Sequence, residues 1–218
     1  MAQVEFSYRH RAVHSRQGKG LLGPVELSFS SPALVVVSGN SGSGKSTLLR
    51  AAAGLVEAEG AERILGGRTY SAGELPLWRS RVSLLMQDAP VLDASVEENL
   101  TFPFRLKNAG QRSFDPEEAG RLLSAVHLDQ LQMDSAAARL SGGERHRLCL
   151  VRGLLWAPDV LLADEPLSGL EPELADRCFH LLKDFVKKRD RIVICVLHER
   201  RFAEMADYRL VVKDGRIH

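Results

Sequence analysis

The spacing of apolar positions changes twice along the chain. Near the start, "VEFSY" (4–8) and "VELSF" (25–29) alternate apolar with polar residues, and "ALVVVS" (33–38) runs apolar with β-branched side chains. Three strands of antiparallel flavour are predicted, the first joined to the others through the Gly-containing loop "RQGKGLLGP". After Lys45 the pattern lengthens. "STLLRAAAGLV" (46–56) reads as a helix, "RVSLLMQ" (81–87) as a strand, and residues 95–156 carry mostly helical spacing with polar breaks. From residue 159 strand and helix take turns: "DVLLAD", "PELADRCFHLLKDFVKK", "RIVICVL", "RRFAEMA", "YRLVVK", then the turn "DG". Such alternation predicts a mainly parallel sheet with helices on its faces. The expected architecture is therefore α/β: a mainly parallel sheet core, an N-terminal antiparallel β subdomain and an inserted α-helical subdomain. Residues 1–87 and 157–218 fall to the core, and about 88–156 to the insert.

Composition narrows this little. At 218 residues the chain is long enough to bury roughly 70% of its unfolded surface in one unit. A net charge of +1 offers no electrostatic case for a nucleic-acid partner. Cys149, Cys178 and Cys195 are isolated from one another, which suggests neither a disulfide framework nor a zinc site and fits a reducing compartment. "MAQVEFSYRH" lacks the apolar core of a signal peptide, and "ALVVV" and "IVICVL" are far short of the ~20 residues of a membrane span, so no spanning segment is expected. His10 and His14 have i, i+4 spacing, but in a strand or loop that spacing builds no metal site.

The chemistry is announced by "GNSGSGKST". Gly39, Gly44, Lys45 and Ser46 match GxxxxGK[ST] between an apolar strand and a helix, the context in which backbone N–H groups of Asn40, Ser41, Gly42, Ser43 and Thr47 can turn toward phosphate. Lys45 then reaches the β and γ oxygens, and Ser46 can ligate Mg2+. "DVLLADEP" ends a strand with Asp164, suited to holding magnesium through water, and Glu165, suited to orienting and deprotonating a water. Gln87 and His198 follow two further apolar strands, and Ser38 a third. In an open parallel sheet ligands gather beyond the carboxyl ends of strands, so all of these point at one crevice.

"LSGGE" raises a separate question. Ser141 and Glu144 have the spacing of a capping box for the helix that follows. A cap does not call for Gly142 and Gly143, which each cost about 1 kcal/mol against alanine within a helix. Bare glycines at a helix start suit the close approach of an anion. One phosphate loop is already present, so a second anion site is redundant within a single molecule. Two copies packed head to tail, each lending one loop and one helix start to each of two nucleotides, remove the redundancy.

In this order and spacing, the motifs resemble those of the nucleotide-binding subunits of ATP-binding cassette (ABC) transporters over nearly the full length: Tyr8, the Walker A loop, Gln87 as Q-loop, "LSGGE" as signature, "VLLADEP" as Walker B, "SGLE" as D-loop and His198 as switch histidine. The resemblance implies a P-loop ATPase that uses ATP and Mg2+. Tyr8 stacks on adenine in such a protein; Gln87 senses the metal, which Ser46 and Asp164 also hold. Ser141, Gly142, Gly143 and Glu144 face the nucleotide of a second copy. Glu165 is the general base, and His198, with Gln87 and Lys45, completes the catalytic set. The implied partners are a second copy of the chain and an integral membrane permease subunit, with no nucleic acid, and the implied location is the cytoplasmic face of the cell membrane. The sequence departs from the family pattern in Glu144, where glutamine is usual, and in Glu171, one methylene longer than the usual aspartate. Phe102 and Phe104 in "NLTFPFRLKNAG" are candidates for a groove receiving a permease helix, or for packing within the insert. The alternative classes are a soluble ABC ATPase that remodels DNA or ribosomes, a small P-loop kinase, and a module that binds ATP without turnover.

Overall fold

The computed structural model describes residues 3–15, 17–88 and 90–218. The N-terminal part is β1 (Glu5–His10), β2 (Val13–His14), β3 (Gly20–Leu22), β4 (Val25–Ser30) and β5 (Ala33–Ser38), followed by α1 (Lys45–Ala52), β6 (Glu62–Leu65) and β7 (Arg68–Thr69). Next come α2 (Leu75–Arg81), β8 (Val82–Leu85), α3 (Val96–Thr101), α4 (Pro116–Ala125) and α5 (Gly142–Trp156). The chain closes with β9 (Val160–Asp164), α6 (Pro172–Arg189), β10 (Ile192–Val196), α7 (Arg200–Glu204), β11 (Tyr208–Lys213) and β12 (Arg216–Ile217).

Two sheets organise these elements. β4-β1-β6-β7 is antiparallel, with Phe6 opposite Phe29 and Tyr8 opposite Leu27. The second sheet has the order β12-β11-β5-β10-β9-β8 and is parallel from β11 to β8, β12 returning antiparallel as a short hairpin. Its central strands are buried on both faces, as parallel strands covered by helices must be. Leu34, Val36, Leu161, Ala163, Val193 and Cys195 join one core with α3, α4, α5 and α6. Alternate residues, among them Val35, Val37, Leu162 and Ile194, join a second core with α1, α2 and the antiparallel sheet.

Asp159, 6% exposed, fixes where three parallel strands begin. Its carboxylate accepts from Arg81 Nε at 2.7 Å and from Arg191 Nη1 at 2.5 Å, so the residues preceding β8, β9 and β10 are tied together and the opposite strand ends come level. The three cysteines are buried and free.

Several elements differ from the sequence reading. Residues 20–22, inside the Gly-containing stretch expected to be a loop, form β3 and pair with β2 just before that stretch. β6 and β7, joined by Gly66 and Gly67 at φ 58° and 73°, complete the antiparallel sheet. α2, which has Pro76 in its first turn, precedes β8. Between α4 and α5, residues 126–141 hold one short 3-10 turn and otherwise irregular chain rather than helix.

Candidate active site

β5 ends at Ser38, and the chain turns through Gly39–Gly44 directly into α1. Gly39 has φ 143° and lies so close to β11 that a Cβ there would sit 2.1 Å from the Val212 carbonyl oxygen. Gly44, at φ 107°, faces Leu22 in the same way, with Cδ2 at 2.7 Å. No side chain caps α1 and no acid sits in its first turn, which leaves the positive end of the helix dipole facing the loop. Lys45 is buried and its Nζ donates to the carbonyls of Gly39 (2.8 Å) and Asn40 (2.9 Å), so the ammonium is held across the mouth of the loop. Ser43 Oγ is buried there without a partner among the described residues. Amide donors, a fixed cation and an unpaired hydroxyl make a cradle for an anion.

Asp164, at the end of β9, accepts a hydrogen bond from Ser46 Oγ at 3.0 Å. Burial pushes its carboxyl pKa up, with the neighbouring Glu165 adding to the rise; the Ser46 hydrogen bond and the Arg50 and Lys45 charges oppose it. Glu165 follows in the left-handed region, at φ 53°, a conformation that costs a non-glycine residue about 1–2 kcal/mol and is concentrated at functional sites. Its carboxylate is gripped on both sides: Gln87 Nε2 donates to Oε2 at 3.1 Å, and His198 Nε2 to Oε1 at 2.9 Å. The ends of β8, β9 and β10 thus deliver Gln87, Glu165 and His198 to one point. With Ser41, Gly42, Gly44, Lys45, Ser46 and Thr47 they line a cleft of about 310 Å³. The remaining loop residues, Gly39, Asn40 and Ser43, line an adjoining cleft of about 850 Å³.

Two predicted contacts are not part of this cleft. Tyr8 has no exposed surface. It points into the core beneath the antiparallel sheet, where its hydroxyl pairs with His10 Nδ1 at 3.0 Å, and burial raises the phenol pKa well above 10. No face of the ring is open to a purine, so the expectation of adenine stacking on Tyr8 is corrected. Ser141, Gly142, Gly143 and Glu144 open α5 and line no part of the cleft. The capping box forms as its spacing implies: Ser141 Oγ accepts from Glu144 N at 3.3 Å, and Glu144 Oε2 accepts from Ser141 N at 2.9 Å. A Cβ at Gly142 would meet no atom within 4 Å, and one at Gly143 only Arg147 Nη1 at 3.4 Å. Packing within the chain therefore does not require either glycine.

The cleft and the cavities beside it also contain two residues that the sequence does not flag as functional. Leu21 is 38% exposed and lines all three cavities around the loop, and His14 lines the two that flank it. Leu21 lies in the Gly-containing stretch that the sequence marks only as a strand-joining loop, and the i, i+4 spacing of His14 bears only on metal binding. Phe102 is 40% exposed, whereas Phe104 packs edge-on against Trp156 and Phe114 inside the helical segment. Among the described residues no helix is long and apolar enough to cross a membrane. Among the described residues no group of three or more His, Cys, Asp or Glu side chains is placed to hold a metal ion unaided.

Residues 22–168 match the model of the ABC transporter family. The chain is 36% identical over 202 residues to the "Fe(3+) ions import ATP-binding protein FbpC" of Streptomyces coelicolor, covering 92% of this chain but 57% of that protein. It is 29% identical over 220 residues to the "Lipoprotein-releasing system ATP-binding protein LolD" of Rickettsia bellii, covering 100% and 99% of the two chains. Among solved structures, the dimeric post-hydrolysis state of the ATP-binding cassette MJ0796 bound to ADP and Pi superposes with a TM-score of 0.84 at 23% identity, covering 99% of this chain and 96% of that one.

Proposed function

The chain belongs to the ABC transporter family, and from that premise we propose that it is the ATP-hydrolysing subunit of a transporter. It works as a head-to-tail pair of copies that close on two ATP molecules, and separate membrane permease subunits, which hold it at the inner face of the cell membrane, turn opening and closing into transport of a solute. The observation that carries the reading is the double grip on Glu165 by Gln87 and His198 at the mouth of a phosphate-type loop.

ATP seats its phosphates on the loop amides and Lys45. The γ-phosphate then lies toward Gln87, Glu165 and His198, with Glu165 accepting the proton of the attacking water and His198 donating a hydrogen bond to the phosphoryl oxygens. Holding water, base and phosphorus in line supplies much of the rate, since little covalent chemistry is asked of the protein. The adenine rests against Leu21 and His14 in place of Tyr8. The oxygen donors Ser46 and Asp164, with the Gln87 side chain beside them, suit Mg2+, which takes few protein ligands and completes its shell with water and substrate phosphates. Bound there, the ion would supply positive charge against the charge that develops on the phosphates.

The signature residues complete the site from the second copy. Gly142 has open space where a side chain would fit, so its bareness answers to something outside its own chain, and a terminal phosphate approaching the α5 amides is the ligand such a helix start favours. Relatives named for iron import and for lipoprotein release share this cassette, so its chemistry serves unlike cargoes. The test is phosphate release with ATP and Mg2+. Wild type should turn over, and Glu165→Gln should fall at least about 100-fold while still binding ATP. A Glu165→Gln variant that hydrolyses at the wild-type rate removes the assigned base.

A further inference from the structure

Helix α5 does more than present its first turn. One stripe of it lies along the irregular segment that follows β8, and His146, Cys149 and Arg152 recur there every three residues, the spacing of one helix face. His146 Nε2 donates to the backbone carbonyl of Gln87. Arg152 Nη2 donates to the Pro90 carbonyl at 2.8 Å, which also accepts from Cys149 Sγ at 3.4 Å. At the far end Gly153 takes Leu85 so closely that a Cβ would sit 2.7 Å from Leu85 Cδ2. α5 thus holds the start of this segment while Asn99 of α3 holds Leu92 further on, and His146 is the contact nearest the cleft. Because a carbonyl can only accept, the ring nitrogen is the donor in this bond.

The residue His146 holds is the one whose side chain, through Nε2, donates to Glu165. Five residues before His146 in the same helix stands Ser141, the start of the turn offered outward. We propose that His146 is a positioning residue that couples the two nucleotide sites through a single chain. Movement of Gln87 with the nucleotide in this chain's cradle is passed by His146 to α5, and so to the helix start that closes the partner's site. His146 touches no reacting atom and does not line the cleft. It acts through Gln87.

The inference rests on the shared-site reading above, and the experiment separates the two. Steady-state ATP hydrolysis is measured for wild type, His146→Ala and His146→Gln across ATP and protein concentration, with melting temperature and trinitrophenyl-ATP binding measured alongside. Wild type should show specific activity that rises with protein concentration and a Hill coefficient above one. His146→Ala should lose about tenfold in kcat with KM within about twofold, its Hill coefficient should fall to one, and nucleotide binding should be unchanged. His146→Gln, whose amide can also donate to a carbonyl, should recover at least half of kcat and the cooperativity. If wild type is concentration-dependent and His146→Ala matches it, the coupling is overturned alone. It is overturned equally if His146→Gln, folded with a wild-type melting temperature, does no better than His146→Ala. Wild-type activity independent of protein concentration overturns the shared site and the coupling with it.

Discussion

Asp164 shows at the scale of one side chain how a site is kept ready at a cost to the fold. Its carboxyl pKa is raised, first by burial, so the folded protein binds that proton more tightly than the unfolded chain does. Stability from this group is therefore lost as pH rises from the ordinary carboxylate range through the raised value. Asp164→Asn should melt at a higher temperature than wild type near pH 7, with the difference closing in acid, while ATP hydrolysis drops by at least about 100-fold. A neutral-pH melting temperature below that of wild type would contradict the sign. A second pair of variants separates Tyr8 from His14. Tyr8→Phe should leave ATP affinity within about twofold and cost about 1–3 kcal/mol by stripping buried His10 of its partner, read by denaturant unfolding. His14→Ala should weaken ATP binding by roughly three- to tenfold at unchanged stability, consistent with about 1 kcal/mol of stacking. The inward place of Tyr8 was legible: Phe6, Tyr8 and His10 are buried while Glu5, Arg9 and Arg11 are exposed, the period of two that a strand imposes. Motif order pointed to adenine; alternation pointed to the core, and packing followed alternation.

Among elements, α5 answers to two demands that its sequence states with unequal clarity. The glycines at its start were visible as residues out of keeping with a helix, and the absence of anything for a Gly142 side chain to strike bears on a simple variant. Gly142→Ala should fold and gain up to about 1 kcal/mol in thermal unfolding, yet lose ATP-driven pairing and most of its hydrolysis. Loss of stability instead would place the glycine's role inside the chain. The stripe of His146, Cys149 and Arg152 gave no comparable signal, because its partners lie about 59 to 62 residues away, on a loop whose path only the folded chain defines. Of the antiparallel sheet, β1 and β4 were readable from alternation. β6 and β7 were short and charged enough to escape it, although the Gly66-Gly67 pair between them is a two-residue hairpin signal. The Asp159 clamp is likewise a matter of elements. Asp159→Asn should cost about 2–3 kcal/mol in unfolding, less than a fully buried pair because Arg81 is a third exposed, and leave the cleft residues themselves untouched.

Across the whole molecule, the strand-helix alternation after residue 159 was enough to imply a parallel sheet, and a parallel sheet places strand carboxyl ends on one side. That is why Gln87, Asp164, Glu165 and His198 could be grouped from sequence although 78 residues separate Gln87 from its hydrogen-bond partner Glu165. In the proposed pairing the surface that closes the site comes from the second copy, since the start of α5 does not line the cleft its own chain forms. The account stands on that division: one copy holds the nucleotide and the other caps its terminal phosphate. Light scattering of Glu165→Gln across a size-exclusion column, with ATP and Mg2+ and then with ADP, tests it most directly. The account predicts a mass twice the 24.0 kDa of one chain with ATP and a single-chain mass with ADP or in the Glu165→Gln, Gly142→Ala double variant. A mass that stays at 24.0 kDa with ATP saturating the cradle would contradict it.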